Sequence, residues 1–386
     1  MADEIQQITQ AEVLELLRYR SSRGVVSVYL DAAREAPHEV RRWESALHSG
    51  LHGLKMNHRN DRALDAMLVG IRHELKALPP DAYRRGLVFF YGSEPPLRVR
   101  KTLQLPVGTH FVFMDRPYVR PLIELLDESP RIGVIIISSQ KVRFLTWSQG
   151  ILEEVGKETL EIDDTHWRDY VGGGQASAGS AQVRATHTDD YESRVDAQVR
   201  RFLKQVAERA VEAGKAQSWR KLAMVGEPSV VADLQRHLPV EMAGQVIGAL
   251  DRNLTAAPAA TVGRAVAERL DAGSADRKAR LVEEILQTAA AGRRAVLGPA
   301  GVLDALAERR AERLVYVADL NLEGWRLPGG AYTVNPASGD AVEPEPLLVE
   351  RMIEMAFESN GRVTPVDGPA AARLEAQGGI AACLRW

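Results

Sequence analysis

The sequence of 386 residues contains a single cysteine, Cys383. One thiol closes no internal disulfide and builds no cysteine-based zinc site, and its isolation suits a reducing compartment. Long apolar runs are also missing. Runs such as residues 134–137 and 87–91 are far below the ~18 residues that a membrane helix needs. Basic excess is absent: 49 Lys and Arg against 52 Asp and Glu leave a net charge of -3. Any contact with nucleic acid must therefore come from local patches. The opening, MADEIQQITQAEV, has neither a basic cluster nor an apolar stretch, so no secretory leader is expected and a cytoplasmic location is. There is no Walker loop, no Gly-x-Ser-x-Gly elbow and no zincin helix. What is present is an ordinary globular composition, 45% hydrophobic and 26% charged. At ~150 residues per domain the length suggests two or three domains.

The patterning predicts a multidomain α/β protein, each domain a mixed or mostly parallel sheet flanked by helices, divided at 1–128, 129–255 and 256–386. In the first segment, helix 11–19 precedes strand 24–30, helices 40–54 and 62–77, strands 86–91, 97–105 and 109–114, and helix 118–126. Helix 62–77 carries Leu64, Met67, Leu68, Ile71 and Leu75 as one apolar stripe. In the second segment, strand 132–138 is continuous and apolar, as a strand covered on both faces should be. The polar turn Ser139-Gln140-Lys141 can pair it with strand 142–147. Residues 163–188 are polar and rich in Gly, Ser and Ala, and long for a structureless connection in a compact domain. A helix follows, with Tyr191, Val195, Val199, Phe202, Leu203, Val206 and Ala210 on one stripe. Asp189, Asp190 and Glu192 suit its first turn and Gly214 its end. Strand 222–225 and helix 228–237 complete this segment, and residues 253–260 read as a linker. Beyond it come helices 262–270, 278–290 and 302–309, strand 314–320, a Gly/Pro/Asn loop to residue 339, helix 347–359, strand 362–366, helix 370–376 and strand 380–386. That alternation implies a mostly parallel sheet.

Few residues carry recognisable chemistry. His48 and His52 lie four apart on a helix with His58 nearby, but no carboxylate accompanies them, so a solvated face outweighs a metal site. The sharpest local feature is VGGGQASAGS, residues 171–180. The consecutive glycines Gly172, Gly173 and Gly174 cost backbone entropy wherever the chain must be ordered, and they suit a tip that another molecule approaches at backbone distance. A Gly-Gly-Gln triplet arises by composition on the order of 0.1 times in such a chain, so its neighbours must decide.

Those neighbours do discriminate. Gly173-Gly174-Gln175 follows a hairpin-like strand pair and precedes a long helix that carries Arg184 and Tyr191. In order along nearly the whole chain come LLRYRSSRGVVSVYLDA, SPRIGVIIISSQKVRFLTW, KLAMVGEPSVVADLQRHLP, VLGPAGVLDALAERRAERLVYVADL and GGIAACLRW. Together they resemble the archaeo-eukaryotic class I peptide chain release factor family, especially its bacterial branch, which is related to Pelota. The resemblance implies a three-domain release-factor-like architecture and ribosome-associated peptidyl-tRNA hydrolysis, with Gly173, Gly174 and Gln175 as the catalytic tip. RNA contacts are expected at Gly172, Arg168 and Arg184 beside the tip and, from charge alone, at Arg194, Arg200 and Arg201 on the helix after it. The resemblance implies as partners the large ribosomal subunit, through its RNA at the peptidyl transferase centre, and peptidyl-tRNA, with a translational GTPase as a further candidate. It implies no cofactor, metal or membrane. Glutamine does not titrate near neutral pH, so Gln175 is no general base. Its backbone N–H can donate to charge developing on the ester, and proton handling would fall to the ribosome and the tRNA ribose. The isolated protein is then expected to be nearly inert.

The sequence departs from the eukaryotic members of that family. It has no Asn-Ile-Lys-Ser loop and no Tyr-x-Cys-x-x-x-Phe element, and the matching strand reads FVFMDRPY. Release that does not depend on a stop codon is therefore expected. Two alternatives stay open: a non-hydrolytic ribosome-binding factor that rescues or splits ribosomes, as Pelota does, and an RNA-binding module. Residues 84–120 hold Arg84, Arg85, Arg98, Arg100, Lys101, Arg116 and Arg120 against Glu94 and Asp115, a balance expected to draw RNA phosphate. Asp340, Glu343, Glu345, Glu350, Glu354 and Glu358 make the third segment acidic and suit it to a protein partner. Trp147 is expected in the core, with Trp167 and Tyr170 left open.

Overall fold

The structure is a computed structural model that describes residues 7–31, 42–59, 61–76, 85–138, 141–159, 180–250, 252–338 and 341–386; for 180–196 it describes the helical backbone alone. In chain order the elements are α1 (Gln10–Arg18), β1 (Val25–Asp31), α2 (Arg42–Asn57), α3 (Arg62–Lys76), β2 (Gly86–Gly92), β3 (Leu97–Leu103), β4 (His110–Met114) and α4 (Arg120–Glu128). Next come β5 (Ile132–Ile137), β6 (Lys141–Ser148), β7 (Ile151–Thr159), α5 (Ser180–Gln217), β8 (Lys221–Gly226), α6 (Pro228–His237), α7 (Val240–Ala243), β9 (Val246–Leu250) and a 3-10 turn (Arg252–Ala256). The remainder is α8 (Ala259–Ala272), α9 (Ser274–Ala290), β10 (Ala295–Leu297), α10 (Pro299–Ala307), β11 (Ala311–Val317), β12 (Gly324–Arg326), β13 (Tyr332–Thr333), β14 (Glu343–Glu345), α11 (Leu348–Glu358), β15 (Arg362–Val366), α12 (Gly368–Glu375) and β16 (Ile380–Leu384). These elements form two compact units, Met1–Ser129 with Asp271–Trp386, and Pro130–Leu270.

In the first unit, β3-β2-β1-β4 is antiparallel throughout. Its strands alternate strictly, as the pleat requires. Val26, Val28 and Leu30 face α2 and α3, where the predicted stripe of Leu64, Met67, Leu68, Ile71 and Leu75 is joined by Leu51 from α2. Tyr29, Val88 and Phe90 face the other way, into a core shared with α1, α4, α10 and α11. The α1 terminus is closed by a capping box between Thr9 and Glu12. The second sheet, β10-β16-β11-β15, departs from the mostly parallel expectation. β16 runs antiparallel to both β10 and β11, and only β11–β15 is parallel. Strand–helix alternation fixes direction only between strands that end up adjacent, and β11 lies between β15 and β16. Residues 324–345, which the sequence leaves as loop, hold the small sheet β13-β12-β14.

Cys383 is half-buried in β16, and burial pushes its thiol above the usual range. Thiolate is the reactive form, so a disulfide reagent at neutral pH is expected to react markedly more slowly with the folded chain than with the unfolded one. Equal rates would contradict the placement.

The second unit is one mixed sheet, β7-β6-β5-β8-β9. β5 and β6 form the predicted antiparallel hairpin, whereas β8 runs parallel to β5, and β9 to β8. β5 is buried on both faces, as its unbroken apolar run requires. Ile135 and Ile137 pack towards α5 and α6, and Ile132, Val134 and Ile136 towards α8. β7 was not legible in sequence: it is an edge strand with little burial and with Glu153, Glu154, Lys157 and Glu158 along it. The Trp219 ring lies against Gly133 so closely that an added Cβ would sit 2.3 Å from it, while the indole N–H donates to Thr146 Oγ1 at 2.8 Å. Gly133→Ala is therefore expected to destabilise this unit by about 1–3 kcal/mol in urea unfolding. Among the described residues no helix is long and apolar enough to cross a membrane.

Candidate functional site

Arg168 and Gly172, Gly173, Gly174 and Gln175, with Trp167 and Tyr170, lie outside the described residues. β7 ends at Thr159 and α5 begins at Ser180. The helix starts about ten residues earlier than the sequence predicts, so Asp189, Asp190 and Glu192 lie more than two turns inside it rather than in its first turn. It also runs through Gly214, the expected stop. Gly214 is a packing position here, since a Cβ would meet Met242 at 2.7 Å. The stop is Ser218, at φ 55, with Ser218 N–H donating to Lys215 O and Trp219 N–H to Gly214 O. That pair of bonds is a Schellman closure with serine in the place usually taken by glycine.

Phe202, Leu203, Val206, Ala207 and Ala210 bury the inner face of α5, with Val199 at the margin of the same core. The guanidinium of Arg209 bonds Glu158 at 3.1 Å and Glu212 at 2.9 Å. Glu158 is the penultimate residue of β7, so this ion pair holds the exit of that strand beside residue 209 of the helix. Ser180 lies 29 residues back along the same helix, or ~44 Å at 1.5 Å per residue. The two ends of the Gly-Gly-Gln segment are thus held on the order of 40 Å apart, well within the ~70 Å maximum reach of the connecting residues.

Of the predicted RNA-contacting residues, Arg184 and Arg194 fall on α5, where only backbone is described. Arg200 and Arg201 are exposed on the outer face of α5, with Lys204 one turn on. Among the described residues no carboxylate pairs with any of the three. Trp147 sits in the core, 2% exposed, among Ile132, Leu145, Val262 and Val266. His48 and His52 are exposed on α2, and His58 packs edge-on to Phe113 at 5.1 Å. Among the described residues no group of His, Cys, Asp or Glu could hold a metal ion.

The charge expectations for the first unit need correction. Arg116 and Arg120 do not face RNA. Their side chains are 10% and 11% exposed, and they meet the acidic residues of the third segment inside the unit. Arg120 bonds Glu124 at 2.8 Å and Glu350 at 3.0 Å, donates to Ala318 O, and lies over the Tyr316 ring at 4.9 Å. Arg116 stands 3.5 Å from Glu354 and 3.8 Å from Glu345. Arg351, only 2% exposed, contacts Glu345 at 3.2 Å and Glu354. Glu345, Glu350 and Glu354 are therefore structural anions rather than part of an acidic docking face. Lys101 pairs with Glu12 at 2.6 Å.

Residues 117–272, which take in the whole of the second unit, match the model of bacterial archaeo-eukaryotic release factor family 10. No curated protein sequence matches the chain. Among solved structures, an archaeal translation termination factor, aRF1, is 16% identical, with 98% of this chain and 99% of that one covered and a TM-score of 0.25. Pelota from Archaeoglobus fulgidus is 17% identical over 78% of this chain and 79% of its own, with a TM-score of 0.34. A chain from a model of ribosome-bound archaeal Pelota and ABCE1 is 13% identical over 99% of this chain and 95% of that one, with a TM-score of 0.43.

Proposed function

From its release-factor-like region, residues 117–272, we propose that this protein is a ribosome-dependent peptidyl-tRNA hydrolase whose reacting tip is Gly173-Gly174-Gln175. The observation that carries this reading is the position of the triplet. It lies within the family match, between the end of β7 and the start of a 38-residue helix whose first residue is ~44 Å along the axis from Arg209, the residue that pairs with β7. Flanking elements set that far apart suit a finger that enters a partner. Gly173 and Gly174 would admit positive φ and close approach to RNA. The backbone N–H of Gln175 would donate to the oxyanion or the leaving oxygen, and its side chain would orient the attacking water. One preorganised donor of this kind contributes roughly 3–4 kcal/mol. Nothing on the tip titrates near pH 7, so the ester's protons would move through the ribosome and the tRNA ribose.

Arg200, Arg201 and Lys204 support the same reading as exposed cations on α5 that no carboxylate among the described residues pairs with, and Arg168, Arg184 and Arg194 would extend that contact to ribosomal RNA. The partners would be the large subunit and its peptidyl-tRNA in the cytoplasm, with a translational GTPase as a delivery factor. Release would not depend on a stop codon, since the first unit lacks the family's codon-reading elements. The experiment is release of labelled peptide from stalled ribosomes by the full chain. Release on complexes with and without a stop codon supports the proposal. Ribosome binding that leaves peptidyl-tRNA intact would overturn it in favour of a non-hydrolytic rescue factor.

A further inference from the structure

We propose that one end of the β10-β16-β11-β15 sheet is an RNA-phosphate-binding surface, built from arginines that are dispersed in the sequence and gathered by the fold. β10, β11 and β15 start at this end and β16 finishes there. Arg293 and Arg294 lead into β10, Arg309 and Arg310 into β11, Arg362 opens β15 and Arg385 follows β16. Backbone bonds fix their adjacency: Leu384 N–H donates to Arg294 O and Arg385 N–H to Arg310 O, both at 2.9 Å. Four neighbouring strands at ~4.8 Å spacing spread these residues over roughly 15 Å.

A local role explains only part of the set. The helices α9, α10 and α11 all end on this side, and cations near helix C-termini are stabilising. Arg385 takes that role, donating to the carbonyls of Arg309 and Ser359. Arg310 pairs with Glu308, and Arg313, one strand position inward, donates to Thr364 Oγ1. Arg293, Arg294, Arg309 and Arg362 are exposed and, among the described residues, bond neither a carboxylate nor a carbonyl. The carboxylates at this end, Glu284, Glu308, Glu312 and Glu358, are fewer than the guanidiniums. Four free guanidiniums held on a rigid sheet end are costly in self-repulsion unless they serve a polyanion. The Trp386 indole, 65% exposed beside Arg385, adds a flat apolar face to the charged row. Planar forked cations next to an exposed aromatic ring fit phosphate and unstacked bases, whereas an acidic peptide would use the charges alone.

The claim is independent of peptide hydrolysis, so its test uses binding alone. The full chain is titrated against an RNA duplex of about 20 base pairs bearing a short single-stranded overhang, between about 50 and 200 mM salt. The triple variant Arg293→Gln/Arg294→Gln/Arg362→Gln is expected to bind about tenfold or more weakly at low salt. Its log–log salt slope should fall by about 2–3, roughly one unit for each phosphate no longer neutralised. Its thermal midpoint should match the parent, because the replaced side chains are exposed and unpaired. If that variant does not fold, the single change Arg309→Gln should lower the slope by about 1. An unchanged affinity and slope in the folded triple variant overturns the proposal. So does a variant that loses binding to a polyglutamate peptide while keeping RNA.

Discussion

Arg351→Ala is expected to lower the unfolding free energy of the first unit by about 3–5 kcal/mol, the usual effect of removing one partner from a buried ion pair. Arg351 is almost fully buried, and its guanidinium is shared between Glu345 and Glu354. Arg116 serves the same two carboxylates at longer range, 3.5 and 3.8 Å, so it cannot take over the role of Arg351 without moving. The variant would leave two carboxylates with half their neutralising charge in a region largely shielded from water. Replacing both sides, Arg351→Met with Glu354→Gln, is expected to cost less than Arg351→Ala alone, because the penalty comes mainly from the stranded anion. The pH dependence has a definite sign. Burial pushes the Glu354 carboxyl above its ordinary range, against the pull of Arg351 and Arg116. A group raised in the folded state supports folding below its unfolded value and withdraws that support as pH rises through the folded value. Loss of Arg351 raises it further. The deficit of Arg351→Ala is therefore expected to be largest near neutral pH and to shrink as pH falls towards the ordinary carboxylate range. Urea unfolding across that range checks it; a deficit within about 0.5 kcal/mol of zero, as for an ordinary surface substitution, would contradict the buried network.

The second large effect concerns the tip. Gln175→Ala is expected to abolish peptide release while sedimentation with ribosomes is unchanged. Alanine keeps the backbone N–H, so this loss would be assigned to the side chain's hold on the attacking water. Gln175→Pro removes the N–H as well and should cost at least the 10²–10³-fold (roughly) that follows loss of one preorganised donor. Variants that also fail to sediment would place the defect in binding rather than in chemistry. Parental release rates in both would remove Gln175 from the mechanism.

Much of the scaffold was legible because its signals are local. The α6 boundaries and the apolar β5 run each follow from a few adjacent residues, and the structure has both, with β6 paired to β5; Ser139 and Gln140 of the expected turn lie outside the described residues. β7 and β9 were missed because neither buries a clean face; an edge strand lined with Glu and Lys carries no alternating pattern. The span of α5 was misjudged at both ends. Gly214 reads as a stop, yet tertiary contact with Met242 and Trp219 overrides a propensity cost of about 1 kcal/mol. The charge pattern misled most. Arg116, Arg120, Glu350 and Glu354 read as solvated patches of opposite sign, and nothing in a linear sequence says that two patches more than 200 residues apart neutralise each other inside one core. The arginine row at the sheet end was hidden for the same reason, since its members come from four separate strand ends. The Gly-Gly-Gln triplet was visible as composition and lies outside the described residues, whereas the length of the helix that follows it emerged only with the structure.

Hydrolysis of purified peptidyl-tRNA bears most directly on the central claim, measured with the full chain on whole ribosomes, on isolated large subunits and free in solution. Release on both ribosomal complexes, with or without a stop codon, and none on free peptidyl-tRNA is the predicted result. Ester cleavage that proceeds equally well without the ribosome, or an intact ester on ribosomes saturated with the protein, would contradict it.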